Sequence, residues 1–235
     1  LIRTPFLGNR ETFNQYIVGF GSEITHFSEL NYSSANYFQG STPNGYYFGL
    51  TYNKGPVYLM ENTASSSSVI PSYISFHFHK SIFKRNNIGV SIGVHDMLYT
   101  AKTPHRVSAF ALFSYDKLMN NNYALASSFG FGTGNLAEDS HQYTTSNITS
   151  TNKFFLGLKL TTPAMKKYGG LGLLIEYDGV GINLGTSIPL NNAWTLNLGI
   201  THFENISKLS DWGDNNELLP DAPALAIGFQ MNIPK

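Results

Sequence analysis

The last part of the chain alternates between large apolar residues and small or polar ones. From Ala224 to Ile233 the sequence reads Ala-Leu-Ala-Ile-Gly-Phe-Gln-Met-Asn-Ile, so every second residue is a large apolar one. Successive side chains of a β-strand point to opposite faces. The pattern therefore predicts a strand with one apolar face and one small or polar face.

The same alternation recurs along nearly the whole chain and predicts about twelve strands. Most of them approach the ~9 to 11 residues that a tilted strand needs to cross a bilayer. The predicted spans are 13–26, 45–53, 56–62, 71–83, 87–98, 105–116, 121–132, 152–162, 169–177, 179–188, 193–204 and 222–233. A soluble β protein hides its apolar faces in a core, whereas a membrane barrel shows them to lipid and lines its lumen with the polar faces.

The connections between these strands alternate in length over most of the chain. Long loops are predicted near 27–44, 63–70, 133–151 and 204–221, and Asn-rich turns lie between them. Outer-membrane barrels have this arrangement, with short periplasmic turns and long external loops. We therefore predict an all-β chain that forms one antiparallel up-and-down transmembrane barrel over residues 1–235, with residues 1–12 as a periplasmic segment.

The composition favours a bacterial outer-membrane location. Charged residues make up 13% of the 235 residues, about half the usual share in soluble domains. Fifteen basic residues balance fifteen acidic ones, so no cationic surplus favours nucleic acid as a partner. The chain has no cysteine, which excludes disulfides and thiolate metal sites and fits passage through an oxidising periplasm.

Strand parity assigns three sets of site residues. The predicted pore-lining residues are His77, His79, His95, Lys153, Lys159, Glu176, Asn183 and Asn197. The predicted lipid-facing residues are Leu158, Leu184, Leu198, Leu225 and Phe229. Aromatic residues near strand ends suit the two membrane interfaces, and these are Tyr46, Tyr52, Tyr58, Tyr123, Tyr177 and Trp194.

The histidines invite a metal-binding or catalytic interpretation. His77 and His79 share a strand face, and a hairpin near Arg85 would bring one of them beside His95. Two imidazoles on adjacent strands can bind a metal, but no carboxylate or thiolate completes the set. We therefore expect polar lumen side chains, with no metal and no cofactor.

A hydrolase would need a serine that a histidine activates. Ser75, Ser81 and Ser91 lie near the histidines in sequence, but no Gly-x-Ser-x-Gly elbow precedes a helix. The sequence therefore predicts no enzymatic activity.

Charged residues on the small-residue face are the more plausible working features. If the 162–168 connection is centred near Met165, Lys153 and Glu176 become cross-strand neighbours and help to fix the register. Twelve strands enclose more space than eight, so a narrow water-filled passage is possible. Phe155, Tyr47 or an infolded loop could equally block that passage.

Two short segments resemble one family of barrels. Leu1-Ile2-Arg3-Thr4-Pro5 is similar to the Leu-Ile-x-x-Pro opening of the exopolysaccharide-associated, YjbH-type barrels. Glu176-Tyr177-Asp178-Gly179, followed by Asn183-Leu184-Gly185, resembles a hairpin of that family. The resemblance implies a role in surface polysaccharide secretion or in an envelope assembly, and it carries over no catalytic residue.

The sequence thus predicts a narrow passive channel, or a membrane anchor or scaffold for a surface assembly such as one for polysaccharide export. The expected partners are outer-membrane lipid and lipopolysaccharide, with other envelope proteins or surface polysaccharide as further candidates. Two alternatives stay open: a barrel hydrolase acting on lipid or peptide, and a soluble β-barrel that binds a ligand.

Overall fold

The structure is a computed structural model that describes residues 15–26, 31–54, 72–97, 107–133, 153–179, 181–207 and 223–234. These residues form twelve strands. Their bounds are β1 Gln15–His26, β2 Asn31–Ser41, β3 Tyr46–Lys54, β4 Ser72–Arg85, β5 Ile88–Met97, β6 Ser108–Leu118, β7 Ala124–Gly132, β8 Lys153–Thr161, β9 Gly172–Tyr177, β10 Ile182–Pro189, β11 Trp194–Thr201 and β12 Ala224–Pro234.

The strands close into one barrel in which each strand pairs antiparallel with its neighbours in the chain. Closure comes from β1 and β12, whose ladder runs from the Gln15–Pro234 pair to the Ile24–Leu225 pair. This topology confirms the prediction of a twelve-stranded antiparallel up-and-down barrel. No helix in the described part of the chain has the length and apolarity needed to cross a lipid bilayer.

The two faces of the sheet differ in exposure. Leu225 and Phe229 on β12 are each 41% exposed, while Ala224 and Ala226 on the same strand are almost completely buried. The pairing register carries this parity around the barrel: Phe229 pairs with Leu196 on β11 and with Phe20 on β1. Large apolar side chains therefore cover the outside, and small, polar and some aromatic side chains lie inside.

The barrel has two unlike ends. At one end lie the connections 42–45, 86–87, 119–123, 162–171 and 190–193, together with the start of β1 and the end of β12. We call this the short-turn end, and the opposite end, with connections 27–30, 55–71, 98–107, 133–152, 178–181 and 202–223, the long-loop end. Asn86, Asn121 and Asn122 have positive φ angles of 52°, 61° and 65°, which asparagine tolerates better than most residues.

Strand β2 corrects the prediction of a long loop over 27–44. Residues 31–41 pair with β1 and with β3 along most of their length. The outward register positions of β2 include Tyr32 and Phe38 but also Ser34, Asn36 and Gly40, so the apolar alternation that marks the other strands is interrupted. Pairing with two well-defined neighbours specifies this strand where its own pattern does not. The predicted strand 56–62, the segment 1–12 and the loop 63–70 lie outside the described residues, as do nearly all of 133–151 and most of 204–221.

Candidate functional site in the barrel lumen

The register places every residue predicted to line the pore at an inward position. His77 and His79 lie on β4, His95 on β5, Lys153 and Lys159 on β8, Glu176 on β9, Asn183 on β10 and Asn197 on β11. These positions share their parity with Leu112 and Phe155, which are 0% and 1% exposed inside the barrel. The inner surface is therefore the candidate site.

The three histidines lie together on the wall formed by β3 to β6. The rings of His77 and His95 lie 4.6 Å apart, and the ring of Tyr47 stacks on His79 at 4.2 Å. The Thr51 hydroxyl lies 2.7 Å from Nε2 of His77. His77 on β4 lies at a register shift between Phe76 and Phe78, opposite the part of β5 that carries His95. Among the described residues, no group of three or more His, Cys, Asp or Glu side chains could hold a metal ion.

An apolar cluster continues this wall from β6 to β8. Phe110, Leu112 and Phe155 are buried together, and Tyr47 packs against them. The tip of each ring lies over a glycine of a neighbouring strand: a Cβ atom on Gly93 would lie 2.5 Å from Cζ of Phe110 (and closer still to Cβ of His79), and one on Gly130 would lie 2.5 Å from Cζ of Phe155. Glycine is required at these two positions because the rings occupy the space of a side chain. The rings therefore fill one side of the lumen and not its centre.

The opposite wall, formed by β10, β11, β12 and β1, carries small and polar residues. Thr195, Asn197, Gln230 and Asn232 are partly exposed on the inward face. Gln230 donates a hydrogen bond from Nε2 to Oδ1 of Asn232 at 2.9 Å. These uncharged amides and hydroxyls border space that water can reach. The lumen thus has one aromatic wall and one polar wall.

A buried polar network lies between β9, β10 and β11 near the long-loop end. Nδ2 of Asn183 donates to Oε2 of Glu176 at 3.3 Å and to Oδ2 of Asp178 at 3.0 Å. The backbone N–H of His202 donates to Oδ1 of Asn183 at 3.2 Å, and the Gly181 N–H donates to Oδ1 of Asp178 at 3.0 Å. The network holds three strands in register around Asn183, which is an inward residue.

The predicted contact between Lys153 and Glu176 is wrong. Glu176 pairs with Gly157 across β8 and β9, and Lys153 pairs with Gly132 on β7. The β8–β9 connection contains a 3₁₀ turn at Lys166–Tyr168 and is centred beyond Met165, so the ladder shifts past the predicted register. Glu176 lies beside Asn183 instead.

The residues predicted to face lipid lie at outward positions. Leu158, Leu225 and Phe229 are exposed, and Leu184 and Leu198 are partly exposed. Of the predicted interfacial aromatics, Tyr46, Tyr123 and Trp194 lie at the short-turn end, and Tyr52 and Tyr177 lie at the long-loop end. Tyr58 lies outside the described residues.

Ser75 lies within hydrogen-bonding distance of His77 inside the barrel. Oγ of Ser75 lies 3.2 Å from Nε2 of His77, but Ser75 is 0% exposed. The same imidazole nitrogen is also bonded to Thr51. A substrate could not approach the Ser75 hydroxyl in this arrangement. The contact between Ser75 and His77 is therefore a hydrogen bond within the wall.

Sequence reasoning missed Phe110, Leu112 and His202 as inner residues. Phe110 and Leu112 stand in the segment Ala109-Phe110-Ala111-Leu112-Phe113, in which apolar residues occupy both parities. The one signal in the sequence was the glycine that lies opposite Phe110 on each neighbouring strand, Gly93 on β5 and Gly132 on β7. His202 follows β11 with a φ of 50°, and no feature of the sequence indicates that it turns inward.

No protein-family model matches this chain, and no curated protein matches it. Its closed barrel of twelve strands fits a membrane β-barrel and is compatible with an outer-membrane channel or scaffold. The functional inference therefore depends on the inner and outer faces of the barrel.

Proposed function

We propose that this chain is a bacterial outer-membrane barrel that acts as a narrow passive channel for small polar solutes. The observation that carries the proposal is the exposure of large apolar side chains over the outer face, with polar residues on the inner one. Phe113, Phe154 and Ile175 are each at least 50% exposed on the outside. Water-soluble proteins rarely expose contiguous apolar patches larger than a few hundred Å², whereas lipid solvates such a surface.

The two walls of the lumen support the proposed solute class. The cluster of Phe110, Leu112 and Phe155 narrows the passage from one side. On the other side Asn197 and Gln230 offer hydrogen-bond donors and acceptors without charge. A small polar solute can exchange water for these groups as it passes.

A second candidate is a membrane anchor or scaffold in a surface assembly. The same apolar cluster favours it, because rings that occupy one side of the lumen are compatible with a barrel that conducts nothing. The Glu176-Tyr177-Asp178-Gly179 hairpin, similar to that of exopolysaccharide-associated barrels, adds polysaccharide export to this proposal. We propose that either role proceeds without chemistry, since the Ser75 hydroxyl beside His77 is completely buried within the wall.

Conductance across a planar lipid bilayer tests the proposal. The matched variants are Asn197→Trp, at an inward position of β11, and Leu198→Trp, at the next and outward position. We expect a stable current from the native chain, a strongly reduced current from Asn197→Trp and an unchanged current from Leu198→Trp.

Other outcomes separate the alternatives. A barrel that inserts, shows heat-modifiable gel mobility and passes no current would favour the anchor. Hydrolysis of lipid or peptide without current would favour the enzyme. A chain that stays folded and monodisperse in buffer without detergent would contradict the membrane proposal.

A further inference from the structure

Cationic side chains collect on one sector of the short-turn end. Lys80 and Arg85 occupy outward register positions on β4, and Lys117 occupies one on β6. Lys166 and Lys167 form the 3₁₀ turn after β8. Four of these side chains are exposed, and that of Lys80 is partly exposed. We call these five residues the cationic rim.

Within the described part of the chain, negative charge does not balance the cationic rim. At the short-turn end, the only carboxylate within the described ranges is Asp116, and its register position with Ala126 is inward. On the remaining sector of that end, the described β10–β11 turn contains Leu190 and two asparagines. The positive charge is therefore a local feature of the sector from β4 to β9.

The rim residues lie against aromatic and amide groups. Nζ of Lys80 lies 3.4 Å from the centre of the Tyr46 ring. Nζ of Lys166 donates to Oδ1 of Asn122 at 2.9 Å and so joins two neighbouring turns. Nζ of Lys167 lies 5.4 Å from the centre of the Tyr168 ring. Lysines over interfacial tyrosines keep their charge near the water while their stems cover apolar surface.

Exposed apolar side chains adjoin the rim. Phe83 is 48% exposed and Ile88 52%, and both face outward on β4 and β5. Ile82, at the register shift of β4, is 55% exposed. A phospholipid molecule is complementary to this arrangement: its negatively charged phosphate matches the cations, and its acyl chains match the apolar side chains next to them. An acidic protein surface would match the charges but would not cover the apolar side chains that continue along the strands.

We propose that the cationic rim binds the phosphate groups of anionic phospholipids in the leaflet at the short-turn end, with their acyl chains on Phe83 and Ile88. This inference rests on the proposed membrane location and adds a lipid preference to it. The bound lipids would fix the depth and tilt of the barrel on that sector.

The test compares lipid association of the native chain and of two double variants in phosphatidylcholine bilayers. Arg85→Gln with Lys117→Gln removes two cations from the rim. Lys54→Gln with Lys153→Gln removes the same number of cations from strand ends at the long-loop end, one at an outward and one at an inward register position. It is the control for the loss of net charge. Electron spin resonance of spin-labelled phosphatidylglycerol and phosphatidylcholine measures how strongly each lipid associates with the barrel surface.

We expect the native chain to prefer phosphatidylglycerol over phosphatidylcholine by about two- to fivefold. The preference should disappear in the rim variant, persist in the control, and fall at about 1 M salt, where the screening length is ~3 Å. If the rim variant does not fold, Lys166→Gln with Lys167→Gln takes its place, since both side chains are exposed outside the strands.

Three results would overturn the inference. A native barrel with an immobilised lipid shell but no preference for phosphatidylglycerol would show that the rim does not select anionic lipid. If the preference for phosphatidylglycerol fell equally in the rim variant and in the control, it would depend on the net charge of the barrel and not on the rim. Preference retained in the rim variant would place the lipid site elsewhere. Absence of any immobilised lipid would instead refute the proposed function, and the inference with it.

Discussion

Replacing Gly130 with alanine adds one methyl group at a tightly packed point of the lumen wall. The new Cβ atom would lie 2.5 Å from Cζ and 2.6 Å from Cε2 of Phe155, and 2.6 Å from the backbone oxygen of Ala111. Carbon atoms in ordinary contact are ~3.5 to 4.0 Å apart. The Phe155 ring must therefore move by about 1 Å toward the lumen, and the Ala111 carbonyl of β6 must shift as well.

The expected cost follows from two opposing contributions. Overpacking a filled site costs about 1–3 kcal/mol. Exchanging glycine for alanine returns about 0.4–1 kcal/mol through the unfolded chain. We expect Gly130→Ala to lower the free energy of unfolding by about 1–2 kcal/mol and to reduce conductance, since the Phe155 ring enters the passage.

Gly49→Ala is the matched control. Gly49 is also an inward strand glycine, but a Cβ atom there would lie 3.4 Å from Cδ2 of His77, its nearest neighbour. We expect this variant to be unchanged or slightly more stable. Guanidinium unfolding in lipid vesicles, followed by fluorescence, measures both variants.

A double variant tests the assigned cause. If the clash with Phe155 is responsible, Gly130→Ala should be less harmful in a chain that carries Phe155→Leu than in the native chain. Equal unfolding free energies for Gly130→Ala and Gly49→Ala would refute the packing of rings on glycines described for the lumen.

Three further predictions follow from the two faces and the polar network. Leu198→Arg, on the outside of β11, should cost about 2–4 kcal/mol of unfolding free energy in vesicles, while Asn197→Arg should cost far less; similar costs would contradict the assignment of faces. Asn183→Leu removes one donor from each of two carboxylates and should lower stability by about 2–3 kcal/mol, as measured by guanidinium unfolding; an unchanged midpoint would show that the network is dispensable. Combined His77→Ala and His79→Ala should preserve current in planar bilayers, and complete loss with an unchanged fold would assign the histidines an essential role.

Strand parity was the part of the fold that the sequence predicted best. In β11 and β12, apolar residues such as Leu198 and Phe229 alternate with Asn, Gly and Ala, so the inner and outer faces follow directly from the period of two. Neighbouring strands then inherit the same parity through their register. This is why every residue predicted to line the lumen lies at an inward position.

Strand pairing was harder to predict than strand parity. Strand β2 carries Asn36 and Ser34 at outward positions, so its own residues do not distinguish it from a polar loop. The position of Glu176 depends on where the β8–β9 connection turns, and a shift of that centre past Met165 changes its partner from Lys153 to Gly157. Turn geometry sets register, and a connection of this length allows several centres.

The inner cluster was hidden for a different reason. Phe110 and Leu112 alternate with Ala109, Ala111 and Phe113, so both faces of β6 are apolar and the pattern does not say which one turns inward. Closure of the barrel decides the question, because the glycines on β5 and β7 leave room for a ring only on the inside.

Spin labels at single cysteines along β11 test the central claim, that lipid is the solvent of the outer face. Because the chain has no cysteine of its own, each of residues 194–201 can be labelled alone in a barrel refolded into bilayers. The account predicts that labels at 194, 196, 198 and 200 collide mainly with oxygen dissolved in lipid, and that labels at 195, 197, 199 and 201 collide mainly with a water-soluble nickel chelate. Labels at the even-numbered positions that meet neither reagent would be sealed inside a protein core, and that result would contradict the account.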